Sequence, residues 1–145
     1  MTTTFSFAQT ENVDSYLTSL KNSGQDSKLS HLKHLLYDIQ SAIYSSSTGI
    51  KVYGEKPTAL FADINSLNNL NSAVSLKSDI EIVTIKIENS ADLNKSIDLN
   101  SFSGFEKLKY VFIISKIETN PAVINNLIKN DTSKYVLLYK ISIGG

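Results

Sequence analysis

The chain has 145 residues, with 14 basic and 14 acidic side chains balancing to zero, and every basic residue is a lysine. Neutral charge and no planar guanidinium to grip phosphate or guanine argue against a nucleic-acid partner. The absence of cysteine excludes disulfides, thiolate metal sites and a cysteine nucleophile, and no apolar run approaches the roughly 20 residues of a membrane helix. A domain of this length buries roughly 68–70% of its unfolded surface, so it needs no metal or disulfide staple.

Residues 1–9 read as a disordered tail or as a signal-peptide remnant. Phe5-Ser6-Phe7-Ala8-Gln9 has the small residue of a leader's end without a charged or apolar segment before it. Export and a cytoplasmic location therefore stand side by side. Residues 10–145 are expected to form a single α/β domain.

Val13, Tyr16, Leu17 and Leu20 fall on one side of a short helix. Thr10 or Asn12 is placed to cap its start, and Gly24 follows its end. Leu29, Leu32, Leu36, Ile39 and Ile43, widened by Leu35 and Ala42, predict a second amphipathic helix, capped by Asp26 or Ser27 and stopped by the Ser/Thr/Gly run at 45–49. The two form a helical hairpin whose apolar face needs a sheet to cover.

Ile50 to Tyr53 reads as a brief strand, either an edge or a degenerate first repeat. From Pro57, the residues Leu60, Phe61, Ile64, Leu67 and Leu70 suit a helix or a looser succession of 3₁₀ turns. Three apolar triplets then recur at an interval of 28: Ile80, Val83 and Ile85; Leu108, Val111 and Ile113; Val136, Tyr139 and Ile141. Each lies in a β-branched or aromatic run, which predicts strands over 80–87, 108–114 and 135–143. Gaps of this size hold one crossover, so the strands are expected to be parallel. Between the first two, Leu93, Ile97, Leu99, Phe102 and Phe105 are apolar but Gly104 opposes one regular helix; before the third, Asn120-Pro121 opens a helix burying Val123, Ile124, Leu127 and Ile128. The predicted fold is α/β: a helical hairpin on a small, mainly parallel sheet of three to four strands at 50–53, 80–87, 108–114 and 135–143. In the first triplet strand the apolar parity shifts between Ile82 and Val83, which requires a bulge or two covered faces.

The spacing Leu108-x-x-Val111-x-Ile113, within a 28-residue period, resembles that of leucine-rich-repeat proteins over about residues 52–143. The position at which that family sets Asn or Cys to bond the turn backbone is Glu88, Lys116 and Gly144 here. The resemblance implies ligand binding through a sheet face, without cofactor or chemistry. An ordinary α/β layer is the other reading of the same spacing.

Candidate chemistry is sparse. His31, His34 and Asp38 share one helical side with the spacing of metal ligands, yet that side is the wet one, and three ligands fall short of a structural zinc set. No glycine-rich phosphate loop or Gly-x-Ser-x-Gly elbow occurs. The pairs Glu81 with Glu88 and Asp92 with Asp98 read as solvated acids. Gly144-Gly145 resembles the end of ubiquitin-like carriers, against the ordinary reading of a frayed terminus. The expected function is a non-enzymatic binding or protein-interaction module without cofactor, the rival being a small hydrolase or metal-binding enzyme using His31 and His34. Tyr53 and Tyr110 are the aromatic contact candidates, Tyr139 a core residue, and the ligand is a protein or small molecule. An uncovered sheet edge would permit homo-oligomers.

Overall fold

The computed structural model describes residues 10–46, 49–70, 77–131 and 134–143; the segment 1–9 and Gly144-Gly145 lie outside them. The chain is mixed α/β, and its sheet is larger than the sequence predicts, with seven strands. In chain order the described elements are β1 (Glu11–Asn12), α1 (Val13–Asn22), α2 (Asp26–Tyr37), β2 (Ala42–Ser46), β3 (Gly49–Tyr53), β4 (Ala59–Asp63), β5 (Ile82–Ile87), β6 (Ile97–Asp98), β7 (Tyr110–Ser115), α3 (Pro121–Leu127), β8 (Ile128–Lys129) and β9 (Val136–Ile141). Three 3₁₀ segments, Ile64–Asn69, Ser90–Asn94 and Leu99–Phe102, lie in the crossovers.

The large sheet runs β1-β9-β7-β5-β4-β2-β3, and β6 pairs with β8 in a separate two-stranded sheet. All neighbours in the large sheet are parallel except β2 with β3. Strands β4, β5, β7 and β9 therefore lie side by side in chain order. Lateral partners recur at 23, 28 and 26 residues: Leu60 beside Val83, Val83 beside Val111, and Val111 beside Leu137. The 28-residue interval holds between β5 and β7 and slips by two at β9, so Tyr139 sits beside Ile113. An even slip keeps each side chain on its face, so Tyr139 and Ile141 still join the core of Val83, Ile85, Val111 and Ile113, whereas Val136 packs against the opposite one.

Both faces of the sheet are covered over its central strands β4, β5 and β7, and this accounts for the parity shift in β5. Val83, Ile85, Val111, Ile113 and Leu137 point into one core with Leu67, Phe102, Phe105, Ile124 and Leu127 from the crossovers. Ile82, Tyr110, Phe112 and Leu138 point into the other, under Val13, Leu17, Leu20, Leu32 and Leu35 of the helical hairpin. Each fully buried aliphatic or aromatic side chain contributes about 1.5–3 kcal/mol of apolar transfer. The helix caps follow the sequence in part. Asn12 Oδ1 accepts from the backbone N–H of Asp14 and Ser15, Gly24 takes φ +74° after α1, and Asn120 caps α3 with Pro121 in its first turn. Gln25, not Asp26 or Ser27, stands at the start of α2, without a side-chain cap bond.

Three expectations are corrected. The second helix ends at Tyr37 rather than running to Ile43: Asp38 is extended, with ψ 151°, and Gln40 Nε2 donates to the terminal carbonyls of Leu35 (2.7 Å) and His34 (3.4 Å). Ile39 is consequently fully exposed, while Ala42 and Ile43 enter opposite cores from β2. The helical spacing of those two residues was incidental. Second, Ala59–Asp63 is a strand, because a slot between β2 and β5 outweighs the weak β preference of its alanines. Third, Ile50–Tyr53 is the edge strand that one of its two readings has it to be, but it runs antiparallel to β2 and is no first parallel repeat.

Candidate binding edge

The covering of the sheet is uneven. Among the described residues, seven large hydrophobic side chains are exposed, and Ile39, Tyr44, Ile50, Val52 and Tyr53 all belong to β2, β3 or the segment leading into them. Tyr37 closes α2 nearby in sequence, and only Ile143 lies at the far edge, after β9. A gathered apolar patch carries information that scattered exposed residues do not. All five residues of β3 are exposed, so neither face of this strand is covered.

Local sequence explains how the edge is built. Ser46 and Gly49 face each other across the hairpin turn, and Gly49 takes φ +139°, a value that favours glycine. The strand stops at Gly54, where φ is +81° and a Cβ would collide with the Ser41 side chain; glycine lets the returning chain pass close to the start of β2. Thr58 Oγ1 then donates to Gln40 Oε1, and Thr58 N–H donates to Ser41 carbonyl at 3.0 Å. Both ends of the hairpin are thereby pinned to the sheet.

On the helix-side face, the Tyr44 ring stacks on Phe61 with centroids 4.9 Å apart and planes 12° apart. Tyr53 meets Tyr44 edge-on at 5.4 Å and 88°. Both arrangements suit the ring quadrupole, and they hold the three aromatics as a rigid ledge. Two open hollows flank it, one of about 350 Å³ bordered by Tyr44, Ser46, Gly49, Ile50, Lys51 and Tyr53, the other of about 370 Å³ bordered by Ile39, Gln40, Ala42, Tyr44 and Tyr53. Lys51 supplies the cation beside the ledge.

The other residues singled out from sequence lie elsewhere. Tyr110 is 1% exposed, deep in the helix-side core, and burial raises its phenol pKa, with Tyr16 and Glu81 adding to the effect; it presents no contact surface. Tyr139 packs at the margin of the opposite core. His31 and His34 stand on the wet side of α2 but diverge in their partners, since His31 Nε2 meets Glu81 Oε1 at 2.9 Å and His34 Nδ1 meets Asp38 Oδ2 at 2.9 Å. No three His, Cys, Asp or Glu residues converge as a metal site among the described residues.

No family model, curated protein or solved structure matches this chain. Residue geometry alone must carry the functional reading.

Asp92 and Asp98 serve structure. Asp92, 4% exposed, accepts through Oδ2 from the N–H groups of Glu88 at 3.0 Å and Asn89 at 3.4 Å, while Asn89 Oδ1 accepts from Asp92 N–H. Asp98 Oδ1 accepts from Asn130 Nδ2 at 2.8 Å and Asn100 N–H at 2.9 Å, which holds its carboxyl below the usual aspartate range, the Asn130 bond being the larger cause. No helix among the described residues is long and apolar enough to cross a membrane.

Sequence reasoning found Tyr53 at the edge but missed Tyr44, Phe61 and Ile39. Tyr44 follows Ile43, which had been drawn into a helical stripe. Alternation within Ala42-Ile43-Tyr44-Ser45-Ser46 was the available signal.

Proposed function

We propose that this protein is a non-enzymatic protein-interaction module whose contact element is the β2–β3 end of the sheet. The observation that carries this reading is the concentration of exposed apolar side chains on and beside an uncovered edge strand. An extended partner segment lies along such an edge, drawing affinity from main-chain hydrogen bonds and specificity from the side-chain hollows beside the aromatic ledge. The aromatic ledge of Tyr44, Phe61 and Tyr53 supplies rigid contact area at low entropic cost.

Within this reading the sheet is a short repeat-like array similar to leucine-rich repeats. Support comes from successive parallel strands in chain order, from crossovers that all feed one core, and from the β6–β8 pair that links two crossovers. The turns depart from that family by using Asp92 after β5, and Ser115 Oγ bonded to Ile117 after β7.

A photo-crosslinking amino acid placed at Tyr53 in the native cell tests the interaction surface. A discrete protein adduct at Tyr53, absent when the label replaces the exposed Lys129, is expected. Equal labelling at both positions would overturn the reading.

A further inference from the structure

We propose that the partner at this edge is a second copy of the chain, paired antiparallel through β3 about a two-fold axis at Val52. The inference rests on the reading of β2–β3 as the interaction surface and names its occupant.

Backbone direction comes first. Ser41 turns its carbonyl toward Thr58 on the β4 side, so alternation turns Ala42, Tyr44 and Ser46 toward β3. Their partners Tyr53, Lys51 and Gly49 face back to β2. The N–H and C=O groups of Ile50 and Val52 therefore aim at the open edge. They form the template that edge strands offer to a second strand.

Symmetry then limits the register. Two copies related by a two-fold axis pair residues whose numbers have a constant sum, and outward-facing residues must meet outward-facing ones. Three central solutions exist, and the one with Ile50 on the axis is the least favoured, because it lays each Lys51 opposite Gly49, where no side chain meets the ammonium; two are left to compare. One sets Lys51 against Lys51 of the second copy at the closest approach of the ladder, where like charges oppose pairing. The other sets Val52 on the axis, where it exchanges both of its bonds with its own counterpart, and lays each Lys51 opposite Tyr53 of the other copy. In this second register each ammonium meets an aromatic ring, Val52 packs on Val52, and Ile50 arrives at Gly54, where no side chain obstructs it. The charge pattern of β3 thus selects the second solution.

The remaining chemistry fits a second copy. With 14 basic and 14 acidic residues, no net charge repels it. Pairing covers Ile50 and Val52 on one face and Tyr53 on the other, and brings Tyr44 and Ile39 toward the seam. The contact is one five-residue strand with a few flanking side chains, so the interface lies at or below the low end of specific ones, roughly 1,200 Å² in total, and the dimer is weak.

The test is sedimentation equilibrium of the full chain from about 1 μM to 1 mM, where the mass is expected to rise from one 16.0 kDa chain to two. Val52→Pro removes an N–H that faces solvent in the single chain, a position where an edge strand tolerates proline, and it should weaken association at least about tenfold. If its circular dichroism shows unfolding, Ile50→Lys takes its place with the same expected loss. Lys51→Thr should weaken the dimer a few-fold. A wild-type chain that stays monomeric at 1 mM overturns the proposal, as do edge variants that associate like wild type. Tighter association of Lys51→Thr overturns the Val52-centred register. A Tyr53 crosslink to a different protein, with the chain itself monomeric, overturns self-pairing while leaving the interaction surface standing, whereas a monomer without any specific adduct removes both.

Discussion

Asp92→Ala is expected to be among the more damaging single substitutions of a polar residue in this chain. The carboxylate is nearly inaccessible and binds the backbone N–H groups of Glu88 and Asn89, the first two residues after β5. Alanine leaves two amides without acceptors at a turn that the chain must make to enter the crossover. A hydrogen bond to a charged group contributes about 1.5–3 kcal/mol, and because Glu88 and Asn89 are themselves exposed water takes over part of what the carboxylate gave, so about 1–3 kcal/mol is expected for the pair. That is a large part of a typical total of about 5–15 kcal/mol. Asp92→Asn keeps one carbonyl acceptor and should cost less, about 1–2 kcal/mol, since charge-assisted bonds exceed neutral ones by roughly that much. Urea unfolding followed by circular dichroism measures both, with the slope unchanged if the denatured state is unaffected. At about 2–4 °C per kcal/mol for a chain near this length, Asp92→Ala should melt roughly 6 °C lower. A cost for Asp92→Ala below about 0.5 kcal/mol, the scale of ordinary surface changes, would refute the claim that this carboxylate closes the turn.

Two further outcomes are expected. The Asp98 carboxyl, held below its ordinary range by Asn130 and Asn100, contributes stability above the ordinary aspartate value of about 3.9 and loses it as pH falls through its folded-state value; Asn130→Ala should raise its midpoint in a carboxyl-carbon NMR titration, and an unmoved midpoint would deny the bond that role. Thr119 Oγ1 is buried without a hydrogen-bond partner among the described residues, so Thr119→Val should leave stability unchanged or raise it by up to about 1 kcal/mol, and a loss beyond that in the same urea assay would mean the hydroxyl has a partner.

How much was legible in the sequence follows from what each signal senses. The runs at Ile82–Ile87, Tyr110–Ser115 and Val136–Ile141 are so dense in β-branched and aromatic residues that no other local structure suits them, and Asn120-Pro121 carries its helix start in its own backbone chemistry. Strand β2 escaped because Ala42 and Ile43 also continue the 3.6-residue spacing of α2. Its fate turned on Gln40 capping α2 and on a free place beside β4, neither of which is local. For the edge, Tyr53 was visible as the aromatic that ends the brief strand Ile50–Tyr53. Tyr110 looked equivalent by type, yet it is buried, because exposure depends on where the helical hairpin lies.

The sequence alone determined the elements whose apolar spacing exceeds any competing pattern, the exclusion of thiol chemistry, and the neutral charge that permits self-association. Only the tertiary structure decided that the hairpin leaves β3 uncovered, that the Asp92 carboxylate binds the turn after β5, and that β9 slips two residues from the 28-residue interval. Periodicity reports which residues seek burial. Which of them obtain it depends on partners distant in the chain, and strand pairing sets those only when the whole sheet assembles.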